Sequence, residues 1–401
     1  MADDCIVITG LGIIASNGIG KAMFSDALFA GVSGIKPISL FDTSSFKTKT
    51  AGEITNFSAQ DILGPKGLRT LDRSTKLAMS AAKLALDDAK LEINSNNCLQ
   101  AGVSLGTALG SVSSICDFDK EALVEGPYYV NPALFPNTVI NSPASQISIR
   151  FNIKGFNSTI STGFCAGLDA LRYGADMLRS GKAEIVLAGG VEELCVQSYL
   201  GLYKTGCLSG SKEGSLELCC PFDKRRNGIV FGEASAVLVL ENRESALSRG
   251  AKIYARIAGS AMGFGKLKRS MQLAIDNAGL RPDNIDCIYC AANSSVFVDR
   301  MENEAIKEVF ADSAKSVSIS AVKSMTGECY SAGAAVQAIA AVLAIERQTI
   351  SPTINYQEKD DSCGLDYVPN SSRSRQVKNV LISALDPSGG NSALVISRLN
   401  D

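Results

Sequence analysis

Histidine is missing altogether from the 401 residues. Without imidazole the chain cannot by itself form a Ser–His or Cys–His dyad, supply an imidazole general base, or bind a metal through histidine. Any reaction it takes part in uses other side chains or borrows imidazole from a partner. An excess of one charge is missing too. The 39 basic and 41 acidic residues leave a formal charge of −2, with no Lys/Arg block. Nucleic acid and anionic membrane therefore have no electrostatic hold on it. No apolar stretch approaches the roughly 18 uncharged residues of a membrane span. The opening Met-Ala-Asp-Asp-Cys runs straight into Ile6-Val7-Ile8-Thr9, without the basic and apolar regions of a secretory leader. Twelve cysteines are scattered irregularly, and the single pair Cys287-x-x-Cys290 has no second pair at zinc-ribbon spacing, so no metal site is expected. This combination reads as a cytoplasmic protein with reduced thiols.

What is present is ample core material, with 46% hydrophobic residues, in a chain long enough for two or three units of ~150 residues. Short β-branched runs alternate with helical-period segments, the signature of α/β layering. Strands are expected at 5–9, 184–188, 235–240, 285–292, 378–384 and 393–397, and helices at 74–90, 166–180, 269–279 and 331–347. The last is Ala-rich and apolar nearly all round, which predicts a fully buried helix. A charged connector at 242–252 separates two halves, 1–247 and 248–401. Each half holds a buried helix after a Gly/Ser-rich turn, and no short repeat points to a solenoid.

Three segments carry candidate chemistry. Gly10-Leu11-Gly12 lacks the third glycine of a dinucleotide loop, because Ala15 stands there, and reads as a tight turn after the first strand. In Ser161-Thr162-Gly163-Phe164-Cys165-Ala166-Gly167 a thiol stands between a turn and a helix. It is either a thiolate favoured by the helix N-terminus or one buried cysteine among twelve. The charged loop from Cys220 to Glu233 reads as structural, with Asp–Arg pairs and glycine bends.

Together these segments resemble the condensing enzymes of the thiolase fold, specifically the β-ketoacyl-[acyl-carrier-protein] synthases. The matching stretches are VITGLG at 7–12, STGFCAGLDAL at 161–171, AGGVEE at 188–193, PFDKRRNGIVFGEA at 221–234, KSMTG at 323–327, PTINY at 352–356 and GGN at 389–391. The resemblance implies a layered α-β-α-β-α fold of two pseudo-duplicated halves. It also implies acyl chains presented on phosphopantetheinyl acyl carrier protein, with no bound cofactor, and it places Cys165 on the family's nucleophile.

Four departures from the family follow. Its two histidines fall on Ala291 and Glu328. An alanine methyl moves no proton, and a carboxylate repels both a thiolate and a developing enolate unless it pairs with the retained Lys323. Pro387 replaces the gating phenylalanine and has no N–H for an oxyanion hole, where one lost donor costs ~3 kcal/mol. The segment from Ala261 to Lys268 is shorter than the family's pantetheine entrance.

The pattern resembles the chain-length factors of type II polyketide synthases, which act in antibiotic, aromatic polyketide and aryl polyene biosynthesis. There a degenerate subunit forms a heterodimer with an active ketosynthase and shapes the tunnel for the growing chain. Most such factors carry glutamine where this chain has Cys165. On this resemblance Ile115, Phe118 and Ala122, at i, i+3 and i+7 on one helix face, are either tunnel or dimer-core residues. Two alternatives stand beside it: a Cys165-dependent acyltransferase that loads a starter, with Glu328 as base, and a non-catalytic homodimeric scaffold.

Overall fold

The computed structural model describes residues 5–399. Its first half supplies strands β1 (Ile6–Ala15), β2 (Ala101–Gly106), β3 (Asn157–Ile160), β4 (Ile185–Glu192) and β5 (Ala234–Asn242). The second supplies β6 (Ala255–Phe264), β7 (Cys287–Tyr289), β8 (Ser318–Ser320), β9 (Asn379–Leu385) and β10 (Gly390–Ser397). These ten and the short strand Gly18–Ile19 make one sheet, in the order β3-β2-β4-β5-β1-β6-β10-β9-β7-β8. The two halves repeat one wiring. The first strand of each half pairs antiparallel with the last, the last pairs antiparallel with the fourth, and the fourth, second and third run parallel. Within the large sheet the halves meet at β1 and β6, through the pairs Ile6–Ile257, Val7–Arg256 and Ile8–Ala255.

Of seven helices, α1 (Arg73–Asp88), α2 (Val112–Val124), α3 (Ser142–Arg150), α4 (Ala166–Arg179), α5 (Leu267–Asn277), α6 (Val296–Phe310) and α7 (Tyr330–Arg347), all but α2 cover the faces of the sheet. α1 and α3 pack on the outer face of the first half, through Leu77, Ala85 and Ile147 against Val103 and Val237. α5 and α6 cover the second, through Met271 and Ile306 against Leu381 and Val395. α4 and α7 lie between, touching Val186 and Leu240 on one side and Val380 and Leu394 on the other. The expected α-β-α-β-α layering is therefore what forms. Every residue of α7 from Ser331 to Ile345 is buried, as its apolar circumference predicts.

The glycine reading at the first strand is corrected. Gly10, Leu11 and Gly12 are not a turn but the middle of β1. A Cβ at residue 12 would meet the Ala81 carbonyl oxygen at 1.9 Å, and one at residue 10 the Ala85 oxygen at 2.3 Å. The missing side chains let α1 lie directly on the strand. The connector at 242–252 is also more ordered than expected: β5 runs to Asn242 and a short helix follows over Arg243–Ser248. The strand expected over 285–292 shrinks to Cys287–Tyr289, because the chain then turns into the site described below. Among the described residues no helix is long and apolar enough to cross a membrane.

Candidate functional site

Cys165 ends a short turn of 3-10 helix, Gly163–Cys165, and forms the N-cap of α4. Gly163 makes that turn with φ +62°, a left-handed conformation that costs glycine little. The thiol thus sits at the helix N-terminus as its sequence position implied, and of the two readings left open, a favoured thiolate or a buried cysteine, its surroundings favour the second. Cys165 is 2% exposed. Burial, then the charges of Asp169 and Asp386, push its thiol up to about 12, with Lys323 pulling the other way. Asp169 lies one helical turn after the cysteine, where Thr162 and Ser392 donate hydroxyl hydrogen bonds to it. Asp386 arrives from the turn between β9 and β10. Its Oδ2 accepts the Phe164 N–H at 3.0 Å, and its Oδ1 accepts the Ser388 N–H at 2.9 Å.

Pro387 is exposed in that same turn, which the Gly389 N–H closes on the Asp386 carbonyl at 2.9 Å. Its fixed φ suits the corner. The shortened segment after Ala261 is not a loop: β6 continues through it to Phe264, and α5 begins at Leu267. Phe264 is 80% exposed, at the strand's end beside Gly389.

Ala291 and Glu328 come together through Lys323. The Lys323 Nζ donates to the Ala291 carbonyl at 3.0 Å and to Glu328 Oε2 at 2.8 Å. All three are buried. Burial alone would lower the ammonium's pKa, but the Glu328 charge and hydrogen bond outweigh it and hold it above its ordinary value. Glu328 Oε2 also accepts from Asn293 Nδ2 at 2.7 Å, whereas Oε1 has no hydrogen-bond partner. Behind them Glu302 receives the N–H groups of Ala291 and Ala292 at 2.8 and 2.7 Å, with the Ser383 hydroxyl beside them. Burial raises Glu302 to about 7 against these donors. Such a cluster can fix a backbone turn. Where the family resemblance places imidazoles, the cluster has an alanine methyl and a carboxylate held against an ammonium.

The loop from Cys220 to Glu233 is structural, as its composition implied. Arg225 bridges Asp223 at 2.8 Å, and Arg226 reaches Asp360 at 2.6 Å. Cys287 and Cys290 are both buried thiols and are not bridged to each other. Among the described residues no group of three or more Cys, Asp or Glu side chains is placed to hold a metal.

Ile115, Phe118 and Ala122 share one face of α2, a helix with no buried residue. The Phe118 ring stacks edge-on against Phe135 at 6.1 Å. Around it Leu123, Val124, Tyr128, Tyr129 and Phe135 are exposed by 57–98%. Sequence reasoning missed Asp386, Asn293 and Asp169. Only Asp169 carried a readable signal, four residues after Cys165 on the same helix face.

Residues 3–246 match the model of the β-ketoacyl synthase N-terminal domain, and residues 249–357 that of its C-terminal domain. The chain is 34% identical over 409 residues to 3-oxoacyl-[acyl-carrier-protein] synthase 2 of Coxiella burnetii, covering 99% of both. Its structure is similar to that of the ishigamide ketosynthase/chain length factor, with TM-score 0.91, 32% identity and 100% of both chains covered. It is also similar to a type II polyketide synthase acyl-carrier protein complex with its ketosynthase bound to the hexaketide, with TM-score 0.90, 30% identity and 99% of both chains covered.

Proposed function

The chain belongs to the β-ketoacyl synthase family, and from that premise we propose that it is a catalytically degenerate subunit, pairing with an active ketosynthase and setting polyketide chain length. The observation that carries this reading is the buried Lys323–Glu328 pair. It fills, with a neutralised ion pair, the region where the family resemblance requires two imidazoles, in a chain that has none. Relatives such as the Coxiella protein are named as synthases, so the argument rests on this chain's own residues rather than on overall likeness. Condensation needs an activated thiolate, a stabilised enolate and an oxyanion hole. Here burial keeps Cys165 a thiol and Ala291 supplies no proton. Pro387 also has no N–H to donate.

What remains is shape. α2 and the chain after it expose Leu123, Val124, Tyr128, Tyr129 and Phe135, and exposed large apolar side chains close together in the chain are what a partner would cover. On this reading an active ketosynthase covers it, and Ile115, Phe118 and Ala122 lie at the shared tunnel. One neighbour in structure is a ketosynthase/chain length factor, which supports that pairing. The acyl chain arrives on the phosphopantetheine of acyl carrier protein, and no other cofactor takes part.

The test is to reconstitute the chain with its ketosynthase and carrier protein, with and without Cys165→Ala, and to measure product amount and length. Both stay unchanged if the subunit works by shape. Loss of product from an assembled complex assigns acyl transfer to Cys165 and overturns the reading. A homodimer that leaves the ketosynthase's products unaltered makes it a scaffold and overturns it equally.

A further inference from the structure

We infer that Asp386 is the residue that keeps the retained thiol of Cys165 from accepting an acyl group, its carboxylate standing where a thioester oxygen would have to be received. The inference rests on the degenerate-subunit reading above and adds the device that enforces it. Three geometric facts carry it. Asp386 Oδ2 already holds the N–H of Phe164, the residue preceding the thiol, at 3.0 Å. That donor is therefore closed to any other acceptor. The same oxygen would lie 2.0 Å from a Cβ at residue 163, so the carboxylate is pressed against the turn itself, with room only for glycine beneath it. It is also held there from behind. Asp386 Oδ1 accepts from the backbone and hydroxyl of Ser388, in a turn cornered by Pro387 and locked by the Asp386 N–H to Gly390 carbonyl bond at 2.8 Å.

An attacking thiolate transfers its negative charge to the carbonyl oxygen of its substrate, and that oxygen needs N–H donors. At this site it would meet a fixed negative charge and an occupied donor. Both effects oppose acylation, and both come from one side chain.

Alkylation of Cys165 by iodoacetamide reads how far the Asp386 charge and crowding hold the sulfur back as a nucleophile. The thiolate sulfur forms a bond to carbon, iodide leaves, and the thiol proton goes to buffer. The label on the Cys165 peptide would be followed by mass spectrometry in the full-length chain, alone and paired with its ketosynthase. Asp386→Asn keeps an acceptor for the Phe164 N–H and removes the charge, and should label at least about tenfold faster, the equivalent of one pKa unit. Asp386→Gly, which also opens the space, should label at least as fast as Asp386→Asn. Equal labelling of wild type and both variants, with melting temperature and assembly unchanged, overturns the inference. Faster labelling in a variant that has lost its cooperative melting counts against it as well, because the gain then comes from unfolding. Product length in the paired complex is scored separately, so failure of the degenerate-subunit reading shows there and not in the label.

Discussion

One ammonium joins Glu328 and Ala291: Lys323 Nζ stands 2.8 Å from Glu328 Oε2 and 3.0 Å from the Ala291 carbonyl. The pair is nearly inaccessible to water, with side chains 4% and 0% exposed. Removing one partner leaves the other charge buried and uncompensated, whereas removing both leaves a cavity that apolar groups can fill. Lys323→Met is expected to destabilise the fold by about 3–5 kcal/mol, and Lys323→Met with Glu328→Leu by much less. Denaturant unfolding of the two variants checks this; equal losses would mean that the pair contributes only packing.

Stability should fall as pH rises, through Glu193. Burial, then the charge of Asp72, raises its carboxyl to about 8, against the N–H groups of Ser113 and Ser74. In the unfolded chain a glutamate titrates near about 4.3. Between those values the native state holds a proton that the unfolded state has released. Stability is therefore greatest below the lower value and declines until the upper one is passed. Glu193→Gln should flatten this slope and gain on the order of 2 kcal/mol at about pH 9, with little change at about pH 4. Parallel stability curves for the two proteins would rule the mechanism out.

Phe118 is half-buried, its ring edge-on to Phe135. Phe118→Ala should leave folding and pairing intact, while the product of the reconstituted complex lengthens by one or more extension units. Mass spectrometry of the products decides it, and an unchanged length removes Phe118 from the tunnel.

Two glycine-to-alanine changes should have opposite signs. At Gly12 the added methyl meets the backbone oxygen of Ala81 at 1.9 Å, which α1 cannot yield without leaving the strand, and a loss of about 3 kcal/mol or more is expected. At Gly201, inside the helix Val196–Thr205, nothing lies within 4 Å, and the better helix former should stabilise by about 0.5–1 kcal/mol. Thermal melting of both variants is sufficient.

Periodicity made the long elements legible. α1, α4, α5 and α7 fall within a few residues of the expected helices, because each buries one face or, in α7, all of its circumference. β2, β3, β6 and β8 escaped notice, since Ala101–Gly106, Asn157–Ile160, Ala255–Phe264 and Ser318–Ser320 are rich in small or polar residues, with no apolar run to mark them. At the site, the Lys323–Glu328 pairing was readable because five residues separate the two across one tight bend. Asp386 was not readable. Its partner Phe164 lies 222 residues away, and the Asp-Pro-Ser-Gly string around it announces only a turn. The thiol at the helix N-terminus was located correctly, but its protonation depends on burial and on two carboxylates that only the fold brings near.

The position of α7 also bears on how the chain is made. Residues 330–347 pack beside α4 on the inner face of strands that end at Asn242, so the first half emerges from the ribosome with Val186, Ala188, Leu238 and Leu240 covered by α4 alone. That sheet waits for roughly a hundred further residues, several seconds of synthesis at ordinary elongation rates, before its core can close. An N-terminal fragment cut at the connector would keep that face half-covered for good, and the two halves, whose sheet meets at a single strand pair, close their core together.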